Sequence, residues 1–222
     1  MNAQDKQTRE RSIFIFSTMA LAIGVLALFA WKFPGWVGAS IWSYGFSLVY
    51  FLYFLIKKDK ILGRFLLFAM VAGFTELLPD AWLVNHTGTL FYPQDQPMLY
   101  ESPMYMPFSW LVVLTQIGYI GFLINKKHNL LVTSIIIGIL GSSIIPFYEY
   151  LAIHAEWWHY ENAPKWGLVP IYIFVAEGLL MLSIPDLFDR CEKIKLKFIP
   201  VFGVVQGLVM WLACIIAWYL VG

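Results

Sequence analysis

Seven long apolar segments constrain the fold of this chain more than any other feature of its sequence. They lie at about 13–31, 39–56, 64–84, 107–124, 130–153, 168–187 and 198–221. A helix needs roughly 20 apolar residues to cross the hydrocarbon core of a bilayer. The pattern therefore predicts an all-α integral membrane protein, a seven-transmembrane-helix bundle that forms one transmembrane domain over residues 1–222.

The composition agrees with this assignment. Hydrophobic residues make up 60% of the chain and charged residues only 13%, whereas a soluble domain needs more charge to cover its surface. The 15 Lys and Arg residues nearly balance the 14 Asp and Glu residues, which argues against nucleic acid as a partner. We expect membrane lipid around the chain, and the sequence leaves its oligomeric state open.

The basic residues predict the orientation. The N-terminal tail and the connections after segments two, four and six contain Lys6, Arg9, Arg11, Lys57, Lys58, Lys60, Arg64, Lys126, Lys127, Arg190, Lys193, Lys195 and Lys197, and the opposite side has only Lys32 and Lys165. Basic connections usually face the cytoplasm. We therefore expect a multi-pass protein of the plasma or inner membrane with a cytoplasmic N-terminus, and loops 85–106 and 154–167 on the extracytoplasmic side.

These two loops belong to units that share a pattern. Each unit has a Glu near the outer end of a helix, then an aromatic loop, then a Pro and a Tyr that open the next helix. These residues are Glu76, Pro103 and Tyr105 in the first unit and Glu149, Pro170 and Tyr172 in the second. Both units start on an outward-going helix, so the pattern indicates a possible parallel repeat of helix pairs 3–4 and 5–6. The alternative is interface chemistry that two unrelated loops share.

Four acidic residues lie within the predicted spans or at their outer ends: Glu76, Asp80, Glu149 and Glu177. A carboxylate in hydrocarbon is costly, so such residues face a cavity or a partner and are candidates for function. Glu76 and Asp80 are four residues apart and share one helix face. Burial and a second acid both favour the protonated form of a carboxyl group, which can then serve as a general acid. Alternatively, these residues cap helices, pair with Lys165 or lie in the hydrated interface.

The histidines do not form a convincing metal site. His154, Glu156 and His159 are close in sequence, but their spacing is not His-Glu-x-x-His. The chain has 4 His in total, far fewer than the histidine boxes of membrane di-iron oxygenases contain. We therefore expect neither a metal ion nor another cofactor.

Several large aromatic residues lie near the acidic residues in the sequence. They are Trp82, Tyr105, Trp110, Trp157, Trp158 and Tyr172. An aromatic face stabilises a desolvated cation by up to about 2 kcal/mol, so an acid with aromatic walls suits carbocation chemistry. We consider these six residues candidates for substrate binding, and the alternative is an aromatic belt at the membrane interface.

Several motifs also resemble those of known membrane enzymes. After Glu76 the chain has a Gly-x-x-x-Tyr motif at 88–92 and a Pro-x-Tyr-x-Pro-x-x-Trp motif at 103–110; after Glu156 it has Trp and Tyr at 157–160, Gly and Pro at 167–170, and an acid-bearing helix. Over roughly residues 74–186 the chain thus resembles small lycopene cyclases and carotenoid hydratases. Its length and number of spans resemble those of seven-helix meroterpenoid cyclases.

The resemblance implies an enzyme that protonates a prenyl alkene or epoxide with Glu or Asp and needs no metal. Glu76 and Glu149 match the acids that open each unit, and Glu177 matches the acid of the later helix. The double-acid Pro-x-Glu-Glu signature of lycopene cyclases is absent, and Glu177 stands alone. There is no Asp-rich motif for magnesium-dependent ionisation of a diphosphate.

These observations together predict a metal-independent, acid-initiated terpene cyclase of the isomerase or lyase type, acting within the membrane on a hydrophobic isoprenoid substrate of terpenoid or carotenoid biosynthesis. The predicted catalytic residues are Glu76, Asp80, Glu149 and Glu177. A hydratase that uses the same acids, a small proton-coupled transporter and a non-catalytic assembly factor remain as alternatives. A rhodopsin-like photoreceptor is excluded, because the last apolar segment has no Lys to form a Schiff base.

Overall fold

The computed structural model describes residues 3–222, with side chains from residue 5 onward. Its helices are α1 (Ala3–Lys32), α2 (Trp36–Lys57), α3 (Lys60–Thr75), α4 (Leu77–Trp82), α5 (Met106–Asn125), α6 (Leu130–His154), α7 (Ile171–Met181), α8 (Ile184–Lys193) and α9 (Ile199–Val221), with a π-helical turn at Leu83–Thr87 and a 3-10 turn at Leu196–Phe198. They form seven helical segments that are long and apolar enough to cross a membrane. The predicted all-α class and the seven helices are confirmed.

Two of the seven segments are interrupted. The third covers Lys60–Thr87 and breaks at Glu76, because Pro79 has no backbone N–H to continue the helical hydrogen bonds. The sixth covers Ile171–Lys193 and breaks after Met181, with Pro185 in the first turn of α8. The first interruption places Glu76 at a helix junction, beside the short helix that contains Asp80.

The two long loops lie at the same end of the bundle, which we call the loop end. Strand β1 (Leu90–Phe91) of the first loop pairs antiparallel with β4 (His159–Tyr160) of the second. Each loop also forms a hairpin: β2 (Met98–Leu99) with β3 (Ser102–Pro103), and β5 (Lys165–Trp166) with β6 (Val169–Pro170). The loops are thus joined to each other and together cover this end of the bundle.

The sixth helical segment begins later than its hydropathy predicted. Residues 168–170 were expected to be helical, but Val169 and Pro170 pair with Trp166 and Lys165 in the hairpin, and α7 begins at Ile171. The apolar residues at 168–170 therefore belong to the second loop rather than to the helix.

Small residues allow the helices that carry the acidic residues to pack closely. A Cβ atom on Gly73 would collide with the carbonyl oxygen of Pro107 in α5, and one on Gly207 of α9 would collide with Thr75. A further close contact joins Gly141 of α6 to Met181 of α7. These contacts fix α3 against α5 and α9, and α6 against α7.

The opposite end of the bundle contains a buried ion pair. Arg11 Nη1 lies 2.8 Å from Asp59 Oδ1, and both side chains are 1% exposed. The same oxygen accepts hydrogen bonds from the backbone N–H groups of Ile61 and Leu62, so Asp59 also caps the start of α3. Arg11 thereby joins α1 to the start of α3.

Candidate functional site

Two adjoining chambers lie below the loops. We call the first the carboxyl chamber, because Glu76, Asp80, Glu149 and Glu177 all line it. We call the second the apolar chamber; it lies between α1, α2, α5 and α6 and is lined mainly by apolar and aromatic side chains. Met106, Trp110, Glu149 and Trp158 line both chambers and form the wall between them.

The four acidic residues come from three of the seven helical segments. Glu76 lies at the junction of α3 and α4, Asp80 in α4, Glu149 in α6 and Glu177 in α7. Glu76, Asp80 and Glu177 are buried and Glu149 is partly buried. The structure thus brings together all four predicted catalytic residues, which are up to 101 positions apart between residues 76 and 177 of the sequence.

Asp80 accepts two hydrogen bonds on one oxygen. The Tyr92 hydroxyl group donates to Asp80 Oδ2 over 2.6 Å, and the Ser102 hydroxyl group donates to the same atom over 2.7 Å. Both donors belong to the first loop. Two donors on one oxygen suit a carboxylate acceptor, so the hydrogen bonds from the first loop favour the ionised form of Asp80.

Glu149 has a matching environment that the second loop supplies. Trp158 Nε1 donates to Glu149 Oε2 over 2.8 Å, and the Tyr160 hydroxyl group donates to the same oxygen over 2.9 Å. Each loop therefore supplies one Tyr and one further donor to one carboxylate.

The two tyrosines remain hydrogen-bond donors over a wide pH range. Burial, and then the negative charge of Asp80, raises the pKa of Tyr92 well above its usual value. Burial, and then the charge of Glu149, raises the pKa of Tyr160 in the same way. Both hydroxyl groups therefore keep their protons at any physiological pH.

Glu76 and Glu177 have a different environment. Among the residues that the structure describes, Oε2 of each has no hydrogen-bond partner. Glu76 and Asp80 lie one helical turn apart, and both line the carboxyl chamber together with Trp110. Buried polar atoms without partners are rare in proteins, so these two oxygen atoms are available to a ligand or to water.

The six predicted substrate-binding residues divide into two groups. Trp110 and Trp158 line both chambers, and Trp157 lines the apolar chamber. Trp82, Tyr105 and Tyr172 line neither.

Those three residues have other contacts. Trp82 stacks on His86 with the ring centroids 5.3 Å apart. The Tyr105 hydroxyl group donates to the backbone oxygen of Trp157 over 3.4 Å, and that of Tyr172 lies 2.8 Å from Thr89 Oγ1. Tyr105, the residue before α5, thus joins the two loops, and Tyr172 joins α7 to the first loop.

The histidines near the loops pack against other rings, outside both chambers. His154 contacts Trp31 and Tyr150, and His159 stacks on Phe91. Within residues 3–222, no group of three or more His, Cys, Asp and Glu side chains is arranged to hold a metal ion.

Of the four residues that donate to the carboxylates, only Trp158 was predicted as a site residue; Tyr92, Ser102 and Tyr160 were not. The two tyrosines occur in the motifs described above, but their motifs do not show that they reach back to a helix. Ser102 lies within a short hairpin that hydropathy does not detect. The antiparallel pairing of β1 with β4 brings both tyrosines to the same side of the loop cover.

Comparisons with known proteins identify one family. The model of a family described as a domain of unknown function, DUF6989, matches residues 77–221, which includes Asp80, Glu149 and Glu177. The chain matches no curated protein and no solved structure.

Proposed function

Since the chain belongs to the DUF6989 family, whose function is unknown, we propose a function from its site: it is a membrane enzyme that protonates an isoprenoid substrate and cyclises it. The observation that carries this proposal is the convergence of four carboxyl groups in one chamber with indole rings in its wall. Acidic groups at this depth of a helical bundle mark functional sites. The aromatic rings suit a cationic intermediate.

The proposal places the bundle in a membrane with its loop end on the extracytoplasmic side. The basic residues of the tail and of the three short connections support this orientation. It puts the chambers in the outer half of the bilayer, where an apolar substrate can reach them from the lipid.

The hydrogen bonds support separate roles for the carboxyl groups. Glu76, with an oxygen that lacks a partner, supplies the proton. Asp80, with two donors on one oxygen, is the carboxylate that accepts the final proton. Glu76 and Asp80 lie one helical turn apart and line the same chamber, which allows one proton to pass between them. Glu149, with two donors on one oxygen, adds negative charge that stabilises the cation.

The reaction balances with these groups alone. The O–H bond of the Glu76 carboxyl group breaks as its proton adds to a terminal alkene carbon or to an epoxide oxygen, and positive charge develops on the neighbouring carbon. An internal alkene attacks that carbon and forms the C–C bond of a ring. The attack leaves a new cation; a C–H bond next to it breaks, its electrons form the product alkene, and Asp80 accepts the proton and returns it to Glu76. The product is an isomer of the substrate, and the enzyme is unchanged.

The resemblance to lycopene cyclases and meroterpenoid cyclases supports the same class of reaction. It rests on the motifs at 88–92 and 103–110 and on the acids Glu76, Glu149 and Glu177. In the structure these acids line one chamber, and the tyrosine of the first motif, Tyr92, holds Asp80.

The decisive experiment is mass spectrometry of lipid extracts from cells that express the chain in heavy water together with linear isoprenoids, including lycopene and terminal prenyl epoxides. We expect an isomeric product that contains one deuterium and disappears in the Glu76→Gln variant. The matched control is Glu156→Gln, which changes an exposed Glu of the second loop and should preserve the product.

Other outcomes would favour other functions. A product heavier by one water molecule would indicate a hydratase, in which water captures the cation. Absence of any product, combined with proton flux that depends on Glu76 in vesicles, would contradict the cyclase and indicate a proton-coupled transporter.

A further inference from the structure

The two chambers are related by the internal repeat. Four positions of the third helical segment line the carboxyl chamber: Glu76, Pro79, Asp80 and Leu83. The positions 69 residues later, Ile145, Tyr148, Glu149 and Ala152, line the apolar chamber. All four lining positions have a counterpart in the other chamber.

The helix that follows each loop shows the same relationship. Met106, Trp110 and Val113 of α5 line the apolar chamber. The positions 67 residues later, Ile173, Glu177 and Leu180 of α7, line the carboxyl chamber.

The loops agree with this correspondence. The hairpin 98–103 matches the hairpin 165–170 in length and register. Both hairpins turn at a residue with positive φ, Tyr100 at 60° and Gly167 at 64°. The chambers are therefore two copies of one arrangement, and Glu149 is the counterpart of Asp80, not of Glu76 as its place at the start of the second unit had suggested.

The two copies differ in the acidic residues that line them. At the position of Glu76 the apolar chamber has Ile145, and at the position of Glu177 it has Trp110. Two acids are thus replaced by apolar side chains, while the carboxylate at Glu149 is retained in the wall between the chambers. Such an apolar lining suits an apolar part of a ligand.

One polar atom of this lining has no partner. Trp157 is 2% exposed and lines the apolar chamber. Within the described part of the chain, its Nε1 atom has no hydrogen-bond partner. Because the indole N–H group is only a donor, the atom that satisfies it must be an acceptor such as an oxygen.

We propose that the apolar chamber is a second ligand subsite, which holds the remote end of the isoprenoid chain and binds an oxygen atom of that end through the N–H group of Trp157. The proposal rests on the proposed function for the identity of the chain. The substrate is then an oxygenated isoprenoid rather than a pure hydrocarbon, because the N–H group of Trp157 needs an acceptor. The reactive alkene or epoxide then lies in the carboxyl chamber, on the other side of Trp110.

The test is equilibrium binding of labelled geranylgeraniol to the full chain in lipid nanodiscs, with the hydrocarbon that lacks only its hydroxyl group for comparison. We expect the wild-type protein to bind the alcohol more tightly. The Trp157→Phe variant keeps an aromatic ring and removes the donor, so it should bind the alcohol roughly threefold to tenfold more weakly and the hydrocarbon equally well. Trp166→Phe, which changes a Trp that is 74% exposed, is the matched control.

A second variant tests the location. Ile145→Phe fills the apolar chamber and should weaken the binding of both ligands. Equal affinity of the wild type for alcohol and hydrocarbon, no effect of Trp157→Phe, or no binding of either ligand would each overturn the proposal.

The outcome is separable from that of the proposed function. If the wild type discriminates between the ligands but forms no Glu76-dependent product, the subsite stands and the cyclase reaction fails. If the product forms and Trp157→Phe changes neither affinity nor KM, the reaction stands and the subsite fails.

Discussion

The hydroxyl group of Tyr92 donates a 2.6 Å hydrogen bond to Asp80 Oδ2. The bond is as short as hydrogen bonds between hydroxyl groups and carboxylates usually are, and it connects the first loop to the carboxyl chamber. The first loop and the acids are therefore structurally linked, and a change in the loop can reach Asp80 through Tyr92 or Ser102.

We predict that Tyr92→Phe lowers product formation about tenfold to a hundredfold, because a hydrogen bond to a charged group contributes about 1.5–3 kcal/mol. The measurement is the initial rate of deuterated product in membranes that contain equal amounts of protein. Tyr100→Phe changes a 68% exposed Tyr of the same loop and should leave the rate unchanged. Equal rates for Tyr92→Phe and the wild type would show that the contact has no role in the reaction.

The raised pKa values of Tyr92 and Tyr160 predict how stability depends on pH. Each folded-state pKa lies above the ordinary value of 10.0, so their contribution to stability is complete below about pH 10 and is lost as the pH rises toward the folded-state pKa. We expect the melting temperature in detergent to fall above pH 10, and to fall less steeply when both residues are replaced by Phe. Identical slopes would contradict this prediction.

The close contact between α3 and α9 predicts a strong effect of a single methyl group. Gly207→Ala forces its Cβ against Thr75 and should destabilise the protein by about 1–3 kcal/mol. Gly45→Ala is the matched control, because a Cβ atom there meets nothing within 4 Å and Ala favours the helix. Unfolding in mixed micelles measures both variants; equal stabilities would contradict the close packing.

The buried ion pair between Arg11 and Asp59 predicts a marked asymmetry between single and double substitutions. Asp59→Asn leaves a buried guanidinium group without its counter-charge and should cost about 3–5 kcal/mol, whereas the additional change Arg11→Met should recover part of this loss. Arg190→Met breaks an exposed pair with Asp186 and should cost less than about 1 kcal/mol. A double-mutant cycle with additive effects would show that the pair is not coupled.

The proposed orientation is tested by labelling introduced cysteines with a membrane-impermeant maleimide on intact cells. Tyr100→Cys in the first loop should react, and Lys127→Cys in the connection after the fourth segment should react only after lysis. The native residues Cys191 and Cys214 are buried, so background labelling should be low. The reverse pattern would invert the proposed topology.

The helices could be predicted from the sequence because each apolar segment carries its own signal. The hydrocarbon core requires a run of apolar residues, and the run is visible without knowledge of any contact. The four carboxyl groups could be identified for the same reason, since an acid such as Glu177 within an apolar run is conspicuous.

The arrangement around the acids could not be predicted, because it depends on contacts between distant residues. Nothing local shows that Ser102 reaches Asp80 or that Tyr105 faces the backbone of Trp157 rather than a substrate. The correspondence of Glu149 with Asp80 was also hidden, because Glu149 and Glu76 each come first in their unit. Chamber lining and hydrogen-bond partners reveal it, and sequence order does not.

The pairing of β1 with β4 bears on the ancestry of the chain. Leu90 pairs with Tyr160 and Phe91 with His159, so corresponding segments of the two halves run antiparallel, as a twofold axis requires. A chain with only one of the two units would leave its strand, β1 or β4, as an unpaired edge. A second copy of that chain could pair with the edge in the same register. The seam between the units thus has the geometry of a symmetric dimer interface, and each unit has an apolar residue where the other has an acid: Ile145 at the position of Glu76, and Trp110 at the position of Glu177.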